Sequence, residues 1–247
     1  MMITNEKFND LDLVILCGGL GTRLASIMGS TPKPLAKING IPFLRLLINY
    51  YIEKGFKRII LCCGYQADKI VSEFKPNEKV ECIFSIETKP LGTGGAIKNC
   101  IHLIKSEKFY VVNGDSFCDV ELNDMYLQHN SKRAALTIAL TDNIERNDGG
   151  SVLMGHNQRI VSFREKKQGE KIDNLLINTG IYLMELNRIS LDIIPPFSLE
   201  SDIFENMSKE RKDIYGYYEK NKILVDIGTP ERYFKSFELL SQLITIK

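Results

Sequence analysis

The chain has 247 residues, 44% of them hydrophobic, so it is long enough to bury the core of one large domain or of two small ones. Its 32 Lys and Arg residues stand against 31 Asp and Glu, a formal net charge of +1. This balance excludes a global field that would steer the protein to nucleic acid or to an anionic membrane, so any phosphate it binds must be held by local groups.

The N-terminus and the apolar runs predict a cytoplasmic protein with no membrane partner. Residues 1–12 are polar and acidic, where a signal peptide has a cationic start and an apolar stretch of about 7–15 residues. No apolar run approaches the roughly 20 residues that cross a bilayer. The six cysteines include no C-x-x-C pair, which argues against a zinc site, and five of them lie in or beside apolar runs. We expect reduced, packed thiols.

Short apolar runs alternate with stretches of helical period through the first half of the chain. The predicted strands cover 13–17, 58–63, 80–85 and 109–112, and the predicted helices cover 43–54, 66–74 and 93–104. These strands are nearly continuous hydrophobic runs, as in a parallel sheet with helices on both faces. The alternation predicts a doubly wound α/β fold.

After about residue 130 the pattern changes to strands separated by turn signals. The predicted strands here are 134–140, 152–154, 160–164, 177–184 and 223–227, with helices near 199–208 and 231–243 and a hairpin turn at His156–Gln158. No linker, repeat or low-complexity tract divides the chain. We therefore predict one Rossmann-like domain over 11–247, with a mixed, mostly parallel sheet flanked by helices, after a flexible N-terminus at 1–10. The composition leaves a homo-oligomer open.

The most informative motif follows the first predicted strand. Gly18, Gly19 and Gly21 lie at the carboxyl end of that strand, where ligands of open α/β sheets bind, and glycines let backbone N–H groups approach an anion closely. A dinucleotide fingerprint would need a third glycine where Leu24 stands, and a Walker loop would need a lysine directly after its second glycine. Taken alone, the glycines are equally consistent with a plain structural turn.

Two cations follow these glycines. Arg23 lies within the turn, and Lys33 stands between Pro32 and Pro34, whose rings fix the backbone around it. Taken singly, Lys33 is also consistent with a solvated lysine in a proline turn. Beside a nest of N–H donors, the two cations predict a receptor for a triphosphate.

Together with later segments, these motifs resemble the signature of the sugar-1-phosphate nucleotidylyltransferases. The signature begins with Gly18–Leu24 and Pro32–Pro34, and it continues through Glu87–Ala96, Asn113–Asp115, Phe163–Lys166, Asn178–Tyr182, Phe197–Glu200 and Asp226–Pro230. Within the family, the motifs are most similar to the short D-glycero-D-manno-heptose 1-phosphate guanylyltransferases. The resemblance implies a nucleotidyltransferase-type fold and an enzyme that joins a sugar 1-phosphate to the NMP of an NTP. For that subfamily the triphosphate is GTP and the products are GDP-heptose and pyrophosphate.

Asp115 and Asp226 each end a predicted strand. Either one alone is typical of a helix N-cap or a turn. Two carboxylates facing one triphosphate suit Mg²⁺, which takes one or two protein carboxylates together with phosphate and water oxygens. The resemblance places the metal-binding aspartates of the family at these two positions.

The resemblance also assigns the remaining site residues. Arg23 and Lys33 are implied to hold the β- and γ-phosphates, Lys166 to meet the sugar phosphate, and Glu165 to take sugar hydroxyls. The implied nucleotide-binding residues are Leu16, Gly18, Gly19, Gly21, Thr22, Gly92, Thr93, Gly94 and Gly95, and the implied sugar-binding residues are Asn113, Gly114, Glu165, Asn178, Thr179 and Gly180. Each of these segments also has a purely structural interpretation. The alternatives are an exposed edge pair for Glu165 and Lys166, a glycine-rich helix entry for Gly92–Ala96 and a β-turn for Asn178–Gly180. Lys167 stands where many relatives have proline.

The sequence is also consistent with other functions. A non-catalytic sensor of nucleotides or sugar phosphates would keep the same pocket without turnover. A glycosyltransferase would hold its metal with a D-x-D pair, whereas Asn113–Asp115 offers one carboxylate. The base and the sugar rest on the subfamily resemblance alone, so mannose or glucose 1-phosphate and CTP, UTP or dTTP remain alternatives. The three histidines do not form a Ser-His-Asp arrangement with any candidate nucleophile.

Overall fold

The computed structural model describes residues 8–74, 80–142, 150–165 and 176–243. The strands are β1 (Asp12–Leu16), β2 (Lys37–Ile38), β3 (Ile41–Pro42), β4 (Arg58–Cys63), β5 (Glu81–Ile86), β6 (Lys108–Asn113), β7 (Ser116–Cys118), β8 (Leu136–Thr141), β9 (Gly150–Met154), β10 (Ile160–Glu165), β11 (Leu176–Glu185), β12 (Ile214–Tyr218) and β13 (Leu224–Asp226). The α-helices are α1 (Ala25–Met28), α2 (Phe43–Glu53), α3 (Ala67–Glu73), α4 (Gly92–Cys100), α5 (Leu122–Ser131), α6 (Glu205–Lys209) and α7 (Pro230–Leu243).

Contacts divide the chain into two compact units, and the first contains residues 1–90, 99–117 and 225–247. Its strands β6, β1, β4 and β5 are adjacent in that order and all parallel. Leu13, Val14 and Ile15 of the central β1 are fully buried, as expected for a strand covered on both faces. The parallel arrangement places the ends of β1, β4 and β6 along one edge.

Aromatic side chains fill part of the core of this first unit. Tyr51 of α2, Phe56 and Tyr110 are each about fully buried, and their rings meet edge to face. Phe8 stacks on Phe56 with ring centroids 5.0 Å apart. Residues 1–7 of the predicted flexible N-terminus lie outside the described residues, and the boundary at residue 10 stays a prediction.

A buried ion pair lies at the amino edge of the same sheet. Asp12, at the start of β1, accepts hydrogen bonds from the N–H groups of Lys105 and Ser106 and from Arg58 Nε, the last at 2.8 Å. Burial by itself raises the pKa of Asp12, but the bonds from the Ser106 N–H, Arg58 and the Lys105 N–H outweigh it, so the pKa lies below its ordinary value. This network holds the amino edge together.

The second unit contains residues 91–98 and 118–224. Its central strand β11 pairs antiparallel with β8 and β9, β9 pairs antiparallel with β10, and β8 pairs parallel with β12. The predicted turn at His156–Gln158 joins β9 to β10 and contains two residues with positive φ, Asn157 and Gln158. The predicted hairpin is therefore present.

Two elements of the second unit are absent from the predicted set. Helix α5 buries only Leu122, Met125 and His129, so its apolar stripe is too narrow to give a clear helical period. Strand β12 contains Gly216, and a Cβ there would lie 2.6 Å from Leu140 Cδ1. The glycine allows the strands to pack closely, but it weakens the strand signal in the sequence.

All six cysteines are among the described residues; five are buried and none forms a disulfide. This agrees with the prediction of packed thiols. Burial raises the pKa of the Cys118 thiol to about 12, which keeps it protonated near neutral pH. Within the described part of the chain, no helix has the length and apolar character needed to cross a membrane.

Candidate functional site

The glycine loop follows β1 and lies at the carboxyl edge of the parallel strands. The Gly114 N–H donates to Leu16 O at 2.8 Å, and the Tyr65 N–H donates to Gly18 O at 3.3 Å. These bonds tie the loop to the segments that follow β6 and β4. The ends of three neighbouring strands thus meet at one place, as the rule for ligand sites in open α/β sheets predicts.

Glycine is required at position 21 both by the backbone conformation and by the close approach of Lys33. Its φ is +62°, in the left-handed region, and a Cβ at this position would lie 2.9 Å from Lys33 Cβ. The loop and the Lys33 segment therefore pack against each other directly. Leu20, Gly21, Thr22 and Lys33 are among the residues that line a cavity of about 210 Å³ beside this contact.

Arg23 and Lys33 each lie in a short 3₁₀ turn, Thr22–Leu24 and Lys33–Leu35. The turn at Thr22–Leu24 buries Leu24 and leaves Arg23 exposed. The turn at Lys33–Leu35 begins after Pro32, and its backbone closes through the bond from the Ala36 N–H to Lys33 O. Lys33 is held at a defined place, as its flanking prolines predict.

Lys33 bonds one of the two predicted metal ligands. Its Nζ lies 2.5 Å from Asp115 Oδ2, and the Lys33 side chain is only 11% exposed. Asp226, which is 7% exposed, accepts the Gly228 N–H at 2.8 Å and faces Arg232 Nη1 at 3.2 Å. Each of the two carboxylates is therefore paired with a cationic side chain.

Gly228 is the point where these charges converge. A Cβ on Gly228 would lie 2.7 Å from Asp226 Oδ1, 3.5 Å from Lys33 Nζ and 3.6 Å from Arg232 Nη1. In addition, the Ile227 N–H donates to Asp115 O at 3.0 Å, which ties the two aspartate segments together. Of the predicted site residues, Lys33, Asp115 and Asp226 thus lie together within the first unit.

The donor set suits magnesium rather than a softer metal. Over the described ranges, no group of three or more His, Cys, Asp or Glu side chains is arranged to hold a metal ion. Asp115 and Asp226 supply carboxylate oxygens alone, and Mg²⁺ completes its shell with water and phosphate oxygens. The residues present therefore fit a metal that arrives with a polyphosphate.

Glu87 is a neighbour of the glycine loop that the predicted site does not include. It follows β5, and its Oε1 lies against the α-carbons of Gly18 and Gly64; a Cβ on Gly18 would come within 2.5 Å of it. Side chains larger than hydrogen at these two positions would displace the carboxylate. The sequence shows the two glycines and the acid, but nothing in their spacing indicates the contact.

The loop Gly92–Ala96, which the resemblance implies takes the nucleobase, belongs to the second unit and opens α4. The N–H groups of Gly94 and Gly95 donate to Phe197 O at 3.0 and 3.3 Å, and the Phe197 ring lies against the Gly94 α-carbon. These two N–H groups are engaged within the protein, and base recognition by this loop stays a prediction.

A polar network joins this loop to the predicted sugar-binding segment. Glu200 accepts hydrogen bonds from Thr93 Oγ1 at 2.7 Å, from Ser198 Oγ at 2.8 Å and from Tyr182 OH at 3.1 Å. Tyr182 OH in turn accepts Asn178 Nδ2 at 2.8 Å. Asn178 Oδ1 accepts the Gly180 N–H at 2.9 Å, so both ends of the Asn178 amide are bonded.

The predicted turn at Asn178–Gly180 is an irregularity within β11. The register with β8 shifts between Asn178 and Tyr182, and Gly180 has φ +79°. Thr179 is 1% exposed and its hydroxyl donates to Ala139 O at 2.9 Å; sugar binding by Thr179 stays a prediction. The bulge re-aims the Asn178 side chain toward Tyr182.

Two further predicted site residues lie at the ends of strands. Asn113 ends β6 and is partly exposed, whereas Glu165 ends β10. Lys166 lies outside the described residues. The predicted site residues do not include Arg232 or Glu200, although Glu200 ends the motif Phe197–Glu200. Only the tertiary contacts connect Arg232 with Asp226 and Glu200 with Thr93.

The first unit thus has a parallel α/β layer with a glycine loop, a lysine and two aspartates at the carboxyl edge of its strands. The model of the family "Nucleotidyl transferase" matches residues 13–242 and so spans both units. The chain belongs to this nucleotidyl transferase family. The predicted enzyme class is confirmed.

Relatives of known name and solved structure are similar over nearly the whole chain. A D-glycero-alpha-D-manno-heptose 1-phosphate guanylyltransferase of Campylobacter jejuni is 38% identical, covering 91% of this chain and 97% of that protein. The protein of that name from Aneurinibacillus thermoaerophilus is 33% identical over 95% of this chain and all of its own length. The crystal structure of HddC from Yersinia pseudotuberculosis has 34% identity and a TM-score of 0.80, covering 93% and 99% of the two chains. The predicted fold class is confirmed.

Proposed function

We propose that this protein transfers GMP from GTP to D-glycero-α-D-manno-heptose 1-phosphate in the cytoplasm, with Mg²⁺ as its cofactor. The observation that carries the proposal is the cluster at Gly228, where Lys33, Asp115 and Asp226 meet beside the glycine loop. Relatives that cover the chain almost end to end bear this activity in their names, and HddC has been crystallised with GMP-PN. These likenesses support the choice of GTP and of the heptose.

The reaction needs alignment and charge neutralisation more than it needs a protein nucleophile. An oxygen of the sugar phosphate attacks the α-phosphorus, and the bond from that phosphorus to the oxygen bridging to the β-phosphorus breaks. Pyrophosphate leaves with the electron pair of that bond. The attacking phosphate is already anionic near neutral pH, so a general base adds little.

Residues of the first unit suit the triphosphate. The backbone of the glycine loop can donate N–H groups, and Arg23 and Lys33 can neutralise charge that develops on the departing pyrophosphate. Asp115 and Asp226 would hold a Mg²⁺ ion, which polarises the α-phosphate when bound. Asn178, positioned through Tyr182 and Glu200, supports recognition of the sugar in the second unit.

The test is a matrix of the four triphosphates GTP, CTP, UTP and dTTP against heptose, mannose and glucose 1-phosphates, each with Mg²⁺ and read by pyrophosphate release. We expect the fastest release from GTP with the heptose. Asp226→Asn serves as the impaired control and exposed Asp10→Asn as the matched neutral one. Release with another pair would reassign the substrates. Binding of GTP without release from any pair would favour the sensor and contradict the proposal.

A further inference from the structure

Both carboxylates of the proposed metal site are bonded to side chains of the protein itself. Lys33 Nζ lies 2.5 Å from Asp115 Oδ2, and Arg232 Nη1 lies 3.2 Å from Asp226 Oδ1. The two contacts differ in kind. Arg232, on α7, has a planar guanidinium whose N–H donors point in fixed directions. Lys33 has a compact ammonium on a flexible side chain, and its three N–H donors can be redirected.

The Lys33 ammonium lies between the two aspartate segments, where a bound cation would also lie. It bonds Asp115 and lies beside the Gly228 α-carbon, which Asp226 Oδ1 also faces. A divalent metal on Asp115 would therefore stand next to a positive charge that solvent screens only in part, since the Lys33 side chain is 11% exposed and the Asp115 side chain 41% exposed. Ammonium and metal compete for one carboxylate.

The surroundings of Lys33 also provide a second place for its ammonium. Its Cβ packs on Gly21, and Lys33 lines the cavity of about 210 Å³ together with Thr22 and Thr31. Phosphate oxygens bound at the glycine loop would lie within reach of a lysine that pivots about this Cβ. An anionic ligand there offers the ammonium an alternative partner to Asp115.

We propose that Lys33 is the resident counter-ion of Asp115, and that it releases this carboxylate to a divalent metal only when polyphosphate oxygens take up its ammonium. The proposal rests on the function proposed above. Metal and nucleotide then assist each other, because whichever draws Lys33 away from Asp115 favours the other by the same factor. The nucleotide-free protein takes the metal weakly.

The test measures the binding of Mn²⁺ to the nucleotide-free protein. Mn²⁺ replaces Mg²⁺ because it is paramagnetic, and its binding is followed by the loss of the electron paramagnetic resonance spectrum of the free ion. We expect Lys33→Met to bind Mn²⁺ about tenfold more tightly than the native protein, because a competing charge is gone. Lys33→Arg, which keeps the charge, should bind as weakly as the native protein. The matched control Lys37→Met, at an exposed position four residues away, should change the affinity less than about twofold.

Two further measurements separate this role from a structural one. The double variant Lys33→Met, Asp115→Asn should lose the gain, which locates the metal at Asp115. For the Mn²⁺ complex of GTP the order should reverse, with Lys33→Met binding about tenfold more weakly than the native protein because the phosphate contact is lost. A purely structural lysine would weaken both.

Equal Mn²⁺ affinity in the native protein and Lys33→Met would overturn the proposal, as would a gain that survives Asp115→Asn or absence of Mn²⁺ binding in every variant. Lys33→Gln provides a second neutral variant if the methionine protein does not fold by circular dichroism. The Mn²⁺ measurement needs neither nucleotide nor sugar phosphate. Failure of the substrate matrix therefore leaves its result standing, and the two failures are distinguishable.

Discussion

Arg23 follows the glycine loop on an exposed turn, where its guanidinium can meet a polyphosphate without the cost of burial. We expect Arg23→Ala to lower kcat roughly 10²–10³-fold, because the charge it neutralises develops mainly in the transition state. Steady-state pyrophosphate release measures this change. Lys105→Ala, which removes an exposed cation beside the amino edge of the sheet, is the control and should keep native kinetics. Native kinetics in the Arg23 variant would remove it from the site.

A second prediction at the residue scale concerns the contribution of Asp12 to stability. Removing a partner from this buried ion pair with Asp12→Ala should lower the free energy of unfolding at pH 7 by about 3 kcal/mol. The pKa of Asp12 is lowered by folding, so its contribution is complete above the unfolded value of about 3.9 and is lost as the pH falls through the lower folded value.

Urea unfolding of the native and Asp12→Ala proteins at pH 7 and at successively lower pH values below 4 measures this effect. The two stability curves should converge as the pH falls. Asp10→Ala, an exposed carboxylate two residues away, should stay within about 0.5 kcal/mol of the native protein. A difference for Asp12→Ala that does not change with pH would show that the loss comes from packing and not from charge.

At the scale of elements, the π-helix at Leu199–Phe204 is the unusual feature of the second unit. Its first turn carries Glu200, and Ser198 caps it by accepting the Glu200 and Ser201 N–H groups. π-Helical turns are rare and occur often at functional sites. Here the turn brings one carboxylate into contact with α4 through Thr93 and with β11 through Tyr182.

Glu200→Gln should disturb this junction without unfolding the unit. The carboxylate accepts three hydroxyl donors, and an amide has only one acceptor oxygen, so at least one hydroxyl loses its bond. We expect the KM for the sugar phosphate to rise about tenfold, which corresponds to one lost hydrogen bond, with a smaller change in kcat.

The kinetics of Glu200→Gln are compared with those of Tyr182→Phe, which removes the link to Asn178 and should act in the same direction. Glu205→Gln, on the following helix and paired only along that helix with Lys209 in the contacts described, is the matched control and should leave KM unchanged. An equal fall of kcat and stability with an unaltered KM would assign Glu200 to folding alone.

At the scale of the whole molecule, the ligands should stabilise the fold. A ligand at 100 times its Kd adds about 2.7 kcal/mol to the unfolding free energy, which for a chain of this size raises the melting temperature by roughly 5–10 °C. We expect GTP with Mg²⁺ to give this shift and GTP with EDTA to give a smaller one. Thermal unfolding followed by fluorescence measures it.

Asp226→Asn provides the control for the metal in this experiment, since its response to Mg²⁺ should be weak while its fold is kept. CTP and UTP at equal concentration report on base choice. An equal shift with Mg²⁺ and with EDTA would contradict a metal that binds together with the nucleotide.

The sequence by itself determined the α/β class, the types and approximate bounds of most strands, and the glycine loop, because each depends on local apolar runs and on backbone freedom. Where local signals were weak, as in α5 and β12, the elements emerged only from tertiary packing. The family followed from motif spacing, which is again a property of the chain.

Only the tertiary structure decided which charges meet. Lys33 and Asp115 are 82 positions apart, and Thr93 and Glu200 are 107 apart. No local pattern links such residues, since their approach depends on which strands lie side by side and on where each strand ends. The residue types at the site were readable from the sequence, whereas the pairing of Lys33 with Asp115, of Arg232 with Asp226 and of Glu200 with three hydroxyls required the fold.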